Sequence, residues 1–318
     1  MSASSRQQLS DAGFPIQGTP REKMGYALKY AMLAPTEIDW HPWEFQVTDA
    51  NIELLARNDP GIHAVDPEGR ELMIGCGSAL VYLKLALRHF GCLGTVELFP
   101  ALDQPRLAAR IHFGTMSERH ALDRLLFDAT TQRPIEAPEQ NGRPLPQTAL
   151  AALNRVVDRE RGWVEFAQSE NSRQRLKEFL PNRLVEAAPS EIGAEDRSTS
   201  RFRFRVRRAA PVQLAEPVEQ PMKLPSATLA VVKTKTDDRQ GWLAAGHAMA
   251  RIILQAQALG LAWGFFNHPV RLRYARESLR MHIGHKGFAQ VILKLASLTS
   301  ETPYGVENLT TRSVAFQW

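Results

Sequence analysis

Two segments of the chain show the hydrophobic spacing of amphipathic helices. They cover residues 68–90 and 239–259, and in each one the apolar residues return every three or four positions. A glycine follows each segment, Gly91 and Gly260, as is typical of a helix end. The pattern therefore predicts two long helices, with apolar faces formed by Leu72, Cys76, Leu80, Leu83 and Leu87 in the first and by Leu243, Met249, Ile252, Ile253 and Ala256 in the second.

The two segments also share a register. "CGSALVYLKLALRHFGCLGTVELFP" and "AGHAMARIILQAQALGLAWGFFNHP" align without a gap, which pairs Gly77 with Gly246, Ala79 with Ala248, Gly91 with Gly260 and Pro100 with Pro269. A strand candidate precedes each helix, at residues 43–47 and 227–234, and "LAARIHFG" and "FAQVILKLA" are further strand candidates behind them. We interpret this as an internal duplication of two strand–helix–strand–strand halves. The alternative is that two amphipathic helices ending at glycine look alike by chance.

The region between the two halves has a different composition. Residues 136–146 are rich in proline, glycine and polar residues and predict a loop, whereas residues 147–158 and 176–184 predict helices. Residues 187–225 are charged and weakly patterned, and they contain "RFRFRVRR", which as a strand would place arginines on one face and Phe and Val on the other. Three interpretations stay open for it: a solvated basic strand, a cover that holds cations over an anionic ligand, or nucleic-acid binding. No recognition motif accompanies the last.

Composition indicates a globular protein. Of the 318 residues, 44% are hydrophobic and 23% are charged, and the net charge of +5 is spread along the chain. Cys76 and Cys92 cannot build a disulfide framework, and both are expected to be core thiols. We expect a cytoplasmic protein, because the first residues lack a signal-peptide core and no apolar run has membrane-spanning length. We expect neither a membrane nor a nucleic-acid partner, nor a metal site, although His282 and His285 are three positions apart.

The stretch "LAPTEIDWHPWEF" carries a family resemblance. Ala34, Pro35, Pro42 and Trp43 match the nitroreductase signature A-P-S-x-x-N-x-Q-P-W, with Thr36 in place of serine. The order of "CGSALVYLKLALRHFG", "DATTQRP" and "DDRQGWLAAGHAMARIILQAQALGL" is similar to that of the Acg-type branch, in which two nitroreductase-like halves are fused with a lid segment between them. The resemblance covers most of the chain from about Gly25 onward.

The resemblance implies an α+β, nitroreductase-like fold whose two halves form a pseudo-dimer around one FMN. It implies an N-terminal extension (1–20), a first half (21–119) and a second half (120–318) with a lid at about 159–225. Pro35 and Thr36 would meet the flavin, with Trp43 beneath it, and Thr130, Arg133 and Arg312 would hold the phosphate and ribityl groups. The implied function is an NAD(P)H oxidoreductase acting on a small conjugated or nitroaromatic acceptor, as a monomer or a weak homodimer.

Three residues depart from the family pattern. Asp39 replaces the family asparagine, His41 replaces the family glutamine, and Asp128 stands where a phosphate-binding arginine is expected. Asp39 and His41 are two positions apart, so in an extended segment they could pair as a base and its partner, and they are our candidate catalytic residues. The alternative for Asp39 is a polar turn residue. Two alternative functions follow: a flavin-sequestering protein without turnover, and non-flavin chemistry at Asp39 and His41.

Overall fold

The described part of the first half contains two α-helices and a four-stranded sheet. In the computed structural model, which describes residues 9–37, 41–57, 66–115, 120–137, 142–157, 162–179, 226–271, 273, 276–277, 280 and 287–297, its elements are α1 (Pro20–Ala31), β1 (Trp43–Val47), β2 (Asn51–Ala56), α2 (Arg70–His89), β3 (Leu93–Leu98) and β4 (Leu107–Phe113). The strands pair antiparallel in the order β1-β2-β4-β3. A reciprocal pair of hydrogen bonds between Thr19 and Glu22 caps α1.

The second half repeats this arrangement. After α3 (Ala121–Ala129), which packs against α2, come α4 (Gln147–Arg155), β5 (Gly162–Ala167), α5 (Glu170–Phe179), β6 (Thr228–Thr234), α6 (Arg239–Ala258), β7 (Ala262–Phe265), α7 (His268–Arg271) and β8 (Phe288–Ala296). The second sheet is antiparallel in the order β5-β6-β8-β7, the same order by position as the first. The chain is therefore α+β, with two four-stranded antiparallel sheets, and is compatible with a nitroreductase-like fold.

The predicted strand count per half was wrong. Each half has two strands before its long helix, so the strand that corresponds to β6 is β2 and not β1. β2 alternates between half-buried and buried positions as an amphipathic strand does. β5 is the edge strand of the second sheet, although it lies inside the predicted lid at 159–225. Its pairing with β6 makes it part of the sheet, and the bounds of the lid stay a prediction. "RFRFRVRR" lies outside the described residues.

The two long helices, α2 and α6, pack closely against each other. A Cβ on Gly77 would overlap the carbonyl oxygen of Leu243, and a Cβ on Gly246 would overlap the carbonyl oxygen of Ile74. The contact is reciprocal. Gly77 corresponds to Gly246 in the repeat, and Ile74 corresponds to Leu243 by the same offset in sequence, so each glycine meets the equivalent carbonyl of the other helix. A self-complementary contact of this kind is what an interface between two like units gives. It favours the interpretation of the repeat as an internal duplication.

Both cysteines lie in the core, as predicted. Cys76, on α2, is fully buried, and burial raises the pKa of its thiol to about 12. Cys92 is also buried, with its pKa raised by burial, and its thiol donates to the Phe90 carbonyl. Since the thiolate is the reactive form, native protein at pH 8 should not react with an aromatic disulfide reagent, whereas both thiols should react in denaturant. Rapid release of one equivalent from the native protein would contradict this.

Candidate functional site

The Pro35–Thr36 turn lies against the first turns of α2. The Pro35 carbonyl accepts a hydrogen bond of 3.0 Å from the Ser78 hydroxyl. Gly75 allows Pro42 to approach the helix, because a Cβ there would overlap the proline ring. Contacts at Pro35 and at Pro42 therefore hold the family-like stretch against α2. Between them, Thr36 faces the end of β7 across a small cavity.

We call this space the turn cavity; it is lined by residues that include Thr36, Glu37, Glu71, Gly75, Phe265 and Asn267. Its volume is about 10 Å³, which is the room that one water molecule needs. Known sites for ligands of drug or cofactor size occupy about 300–1,000 Å³. The turn cavity in this conformation therefore accepts water and excludes a flavin ring.

Two glutamates dominate the turn cavity. Glu37 accepts a hydrogen bond of 2.9 Å from Arg271, while its second oxygen is buried without a partner among the described residues. Glu71 pairs with the guanidinium of Arg70. Burial raises the pKa of Glu71 and the negative charge of Glu37 raises it further, against the opposing effect of Arg70. The turn cavity is therefore acidic. Among the described residues that line it, the second carboxylate oxygen of Glu37 is a buried acceptor without a hydrogen-bond donor.

A buried polar network joins the two halves beside the turn cavity. Asp66 accepts hydrogen bonds of 2.9 Å from the backbone N–H groups of Arg70 and Leu72, which caps α2. The Arg70 side chain is almost fully buried and donates to the side-chain oxygen of Gln290 on β8 at 3.1 Å. Gln290 in turn donates to Asp237 at 3.0 Å. The first turn of α2 is therefore bonded to the second sheet.

Arg276 completes this network from the second half. It is fully buried and its guanidinium donates to Asp237 and Glu68, both at 3.0 Å. Burial alone would raise the pKa of Asp237, but hydrogen bonds from Trp242 and Gln290, together with Arg276, hold it below its usual range. These groups are paired with one another and serve to fix the halves rather than to present a reactive side chain.

The structure gives one ring nitrogen of the candidate catalytic histidine, His41, a backbone partner. His41 Nε2 lies 3.0 Å from the Met32 carbonyl, which can only accept, so this nitrogen carries the proton. Burial lowers the pKa of His41, and the backbone hydrogen bond opposes that shift only in part. The ring packs edge-on against Trp43, which is buried in the core at the start of β1. Asp39 lies outside the described residues, so its pairing with His41 stays a prediction.

Two of the predicted phosphate-binding residues, Thr130 and Arg133, do not line the turn cavity. Thr130 is buried at the end of α3, and its hydroxyl donates to the Phe127 carbonyl at 2.6 Å. Arg133 is exposed, and neither residue is among those lining the two described cavities. Asp128 pairs with Arg124 at 3.6 Å on the surface of α3. Arg312 lies outside the described residues, as do His282 and His285.

A second and larger cavity lies between the halves at the first turn of α6. We call it the lysine cavity; it is lined by residues that include Leu80, Lys84, Leu98, Phe99, Lys235 and His247. Its volume is about 510 Å³, inside the range of ligand sites. The described residues that line it include two lysines and no carboxylate. By size, the lysine cavity has room for a ligand of cofactor size, and its lining mixes apolar and cationic groups, whereas the turn cavity has room only for water.

Sequence reasoning did not single out Lys84, Phe99, Lys235 or His247. The family signature directed attention to the turn after α1, and isolated lysines carry no motif. The register of the repeat could have located this cavity. It places "ELFP" at the same point of the first half as "FFNHP" in the second, and both segments line a cavity. Among the described residues no group of three or more His, Cys, Asp or Glu could hold a metal ion, and none of the described helices could cross a membrane.

Comparison with known proteins supports the resemblance. A Mycobacterium tuberculosis H37Rv protein described as a "putative NAD(P)H nitroreductase" is 24% identical over 299 residues, which are 86% of this chain and 85% of that protein. From the same organism, "Putative NAD(P)H nitroreductase acg" is 23% identical over 299 residues (85% and 87%), and an uncharacterized protein is 22% identical over 308 residues (87% and 89%). No protein-family model matches the chain. The likeness to Acg-type nitroreductases inferred from the sequence is confirmed.

Proposed function

We propose, from this likeness to Acg-type nitroreductases, that the chain is an NAD(P)H-dependent oxidoreductase of the nitroreductase type. In this proposal the two halves form a pseudo-dimer within one chain, and one FMN binds between them. The similarity to proteins described as NAD(P)H nitroreductases spans most of the chain. The reciprocal glycine contact between α2 and α6 supports the pseudo-dimer. The acceptor would be a small conjugated or nitroaromatic molecule.

The lysine cavity is the observation that carries the proposal. It lies between elements of both halves, since Leu80 and Phe99 belong to the first and Lys235 and His247 to the second. Apolar side chains and a few convergent polar groups in one cleft are the usual make-up of a cofactor site. The residues that the resemblance assigned to FMN, Pro35, Thr36, Trp43, Thr130, Arg133 and Arg312, remain predictions.

The side chains of the lysine cavity suit the binding tasks of such an enzyme. Lys84 and Lys235 would offset the phosphate charge, and His247 can donate to an oxygen of the ligand. Leu80, Leu98 and Leu243 would exclude water from the ring. A bound flavin would supply two-electron redox chemistry between NAD(P)H and the acceptor, and the side chains of the cavity would hold and orient it. The net reaction consumes NAD(P)H, a proton and the acceptor, and yields NAD(P)⁺ and the two-electron-reduced acceptor.

A flavin-sequestering protein is the second candidate. It would use the lysine cavity to hold the flavin without turnover. Non-flavin chemistry at Asp39 and His41 is the third candidate. The Nε2 proton of His41 is donated to the Met32 carbonyl, so Nδ1 is the nitrogen that would act as a base. Sequestration and turnover differ in whether bound flavin can be reduced and reoxidised.

The test is the redox behaviour of the purified protein after incubation with FMN. We expect a yellow protein whose visible absorbance bleaches with NADH or NADPH under anaerobic conditions and returns when a nitroaromatic acceptor is added. The same protein without a nicotinamide should keep its colour, which controls for photoreduction. Bound flavin that neither nicotinamide bleaches would favour sequestration, and a colourless protein that binds no added FMN would overturn both proposals.

A further inference from the structure

The turn cavity contains a hydrogen-bond acceptor that no donor reaches among the described residues. Glu37 lies on the turn after α1 with its side chain 10% exposed, and one of its carboxylate oxygens is bonded to Arg271 on α7. The other oxygen, Oε2, is shielded from solvent and has no hydrogen-bond partner in the described part of the chain. A buried carboxylate oxygen in this state destabilises the fold unless a donor reaches it.

Glu71, in the first turn of α2, lines the same cavity and has to share its cation. It accepts a hydrogen bond from one nitrogen of the Arg70 guanidinium. The other two nitrogens of Arg70 donate to the side chain and to the backbone carbonyl of Gln290 on β8. One ion pair with a shared arginine is therefore what holds a negative charge on Glu71, if it carries one.

Charged groups from four segments act on Glu71. Burial is the largest effect and raises its pKa. Arg70 on its own helix and Arg271 on α7 lower the pKa, whereas Glu37 on the turn and Asp66 before α2 raise it further. The net direction is upward, so the neutral carboxyl is favoured. A neutral carboxyl has an O–H group and is a hydrogen-bond donor, which an ionised carboxylate is not.

The network of ion pairs and hydrogen bonds around the turn cavity lacks one positive charge. Its described members are four arginines (Arg70, Arg271, Arg273 and Arg276) and five carboxylates (Glu37, Asp66, Glu68, Glu71 and Asp237). A mostly buried network with an unbalanced charge is stabilised by taking up a counter-charge. One proton makes the charges of the two sets equal.

The space between the two glutamates has the volume and the polar groups that one water molecule needs. The volume is about 10 Å³. Asn267 lines the cavity as well, and its side-chain oxygen accepts the N–H of Ile292 at 2.7 Å, so its amide N–H₂ group is the end that can donate. A water molecule in contact with Glu37, Glu71 and Asn267 has the two to four polar neighbours that buried waters have in proteins.

We propose that the turn cavity is a binding site for one proton and one water molecule. Glu71 carries the proton and donates a hydrogen bond to the water, and the water donates to Oε2 of Glu37. These bonds join α2 to the turn after α1, which Arg271 connects to the second half. The proton therefore stabilises the contact of the turn with both halves. The inference is independent of the proposed function, because the site needs no flavin.

The folded chain then holds one proton more than the unfolded chain near neutral pH. Unfolding exposes Glu71 to water, which returns its pKa from the raised value to about 4.3. The stability that the proton contributes is fully present below about pH 4.3 and is lost as the pH rises through the raised pKa of the folded protein. Between these two values the ratio of unfolded to folded protein should rise by up to about tenfold per pH unit from this group.

The test is the Glu71→Gln variant, with Glu44→Gln as its matched control. Glutamine keeps the shape of the side chain and donates as a protonated carboxyl does, and it is the residue that the repeat places at the equivalent position, Gln240. Glu44 is also paired with an arginine, Arg106, but its side chain is 48% exposed. The same substitution therefore removes a buried glutamate in one variant and an exposed glutamate in the other.

Two measurements are made on the full chain. Urea unfolding from about pH 5 to about pH 9 gives the dependence of stability on pH. Infrared spectra of the native proteins report the C=O stretch of a protonated carboxyl. We expect the wild type and Glu44→Gln to show this band at pH 7 and to lose stability as the pH rises. Glu71→Gln should lack the band, and its pH dependence should be smaller than that of the wild type by about one proton.

The inference fails if the wild type shows no such band at pH 7, if the band persists in Glu71→Gln, or if both proteins have the same pH dependence. Potassium chloride, compared with choline chloride, tests a different ligand. If potassium stabilises the wild type at pH 9 and not Glu71→Gln, the cavity holds a cation and the proton site is wrong. Should Glu71→Gln not fold, Glu37→Gln carries the same expectation, because it removes the charge that raises the pKa of Glu71 and replaces the acceptor with a donor.

Discussion

Replacing Gly246 with alanine should lower the free energy of unfolding by about 3 kcal/mol. The added Cβ would overlap the backbone carbonyl of Ile74, and a backbone atom of a buried helix cannot rotate away as a side-chain end can. The two long helices would have to separate, which would disrupt the core that both halves share. Equilibrium denaturation in urea, followed by far-ultraviolet circular dichroism, measures the change.

Gly25 provides the matched control for this substitution. It lies inside α1, is exposed, and a Cβ there would meet nothing within 4 Å. Gly25→Ala should therefore raise the free energy of unfolding by roughly 0.5–1 kcal/mol, because alanine is the better helix former. If Gly246→Ala were as stable as the wild type, the close contact of α2 and α6 would not exist in solution.

Replacing Arg276 with methionine should lower the free energy of unfolding by about 3–5 kcal/mol. Arg276 is fully buried and its guanidinium bonds to the carboxylates of Asp237 and Glu68 and to the carbonyls of Val270 and Arg271. Methionine fills similar space but leaves the Asp237 carboxylate, which is nearly buried, without its cation. Thermal or chemical unfolding of the purified variant measures the loss.

Arg273 supplies a control that shares a partner with Arg276. It lies 3.6 Å from the same Glu68, but its side chain is 72% exposed. An exposed ion pair contributes about 0–1 kcal/mol, so Arg273→Met should change stability by less than about 1 kcal/mol. Equal losses for the two variants would mean that the buried guanidinium of Arg276 stabilises the protein no more than the exposed ion pair of Arg273 with Glu68 does.

Sequence reasoning identified the elements whose pattern is strong over many residues. The long helices were predicted as 68–90 and 239–259, and they are observed as Arg70–His89 and Arg239–Ala258. The ungapped register also paired Gly77 with Gly246, the two residues whose missing side chains allow the helices to touch. The repeat that we inferred from the glycine spacing therefore predicted where the two long helices touch, because only glycine lets their backbones come so close.

The short strands and the cavities were not predictable in the same way. β2 and β5 have six residues each, which is too short for a clear hydrophobic pattern. Their pairing is set by partner strands far along the chain. The structure holds the family-like turn against α2. The space in front of the turn depends on where Glu37 and Glu71 place their carboxylates. Such packing follows from side chains of both halves, which no single motif contains.

The amount of flavin that the full chain binds tests the central claim most directly. After saturation with FMN and removal of the free cofactor, the absorbance near 450 nm and the protein concentration give the number of flavins per chain. The account predicts one FMN per chain in the wild type and weaker FMN binding in the Lys235→Glu variant. No bound flavin, or two flavins per chain, would contradict it.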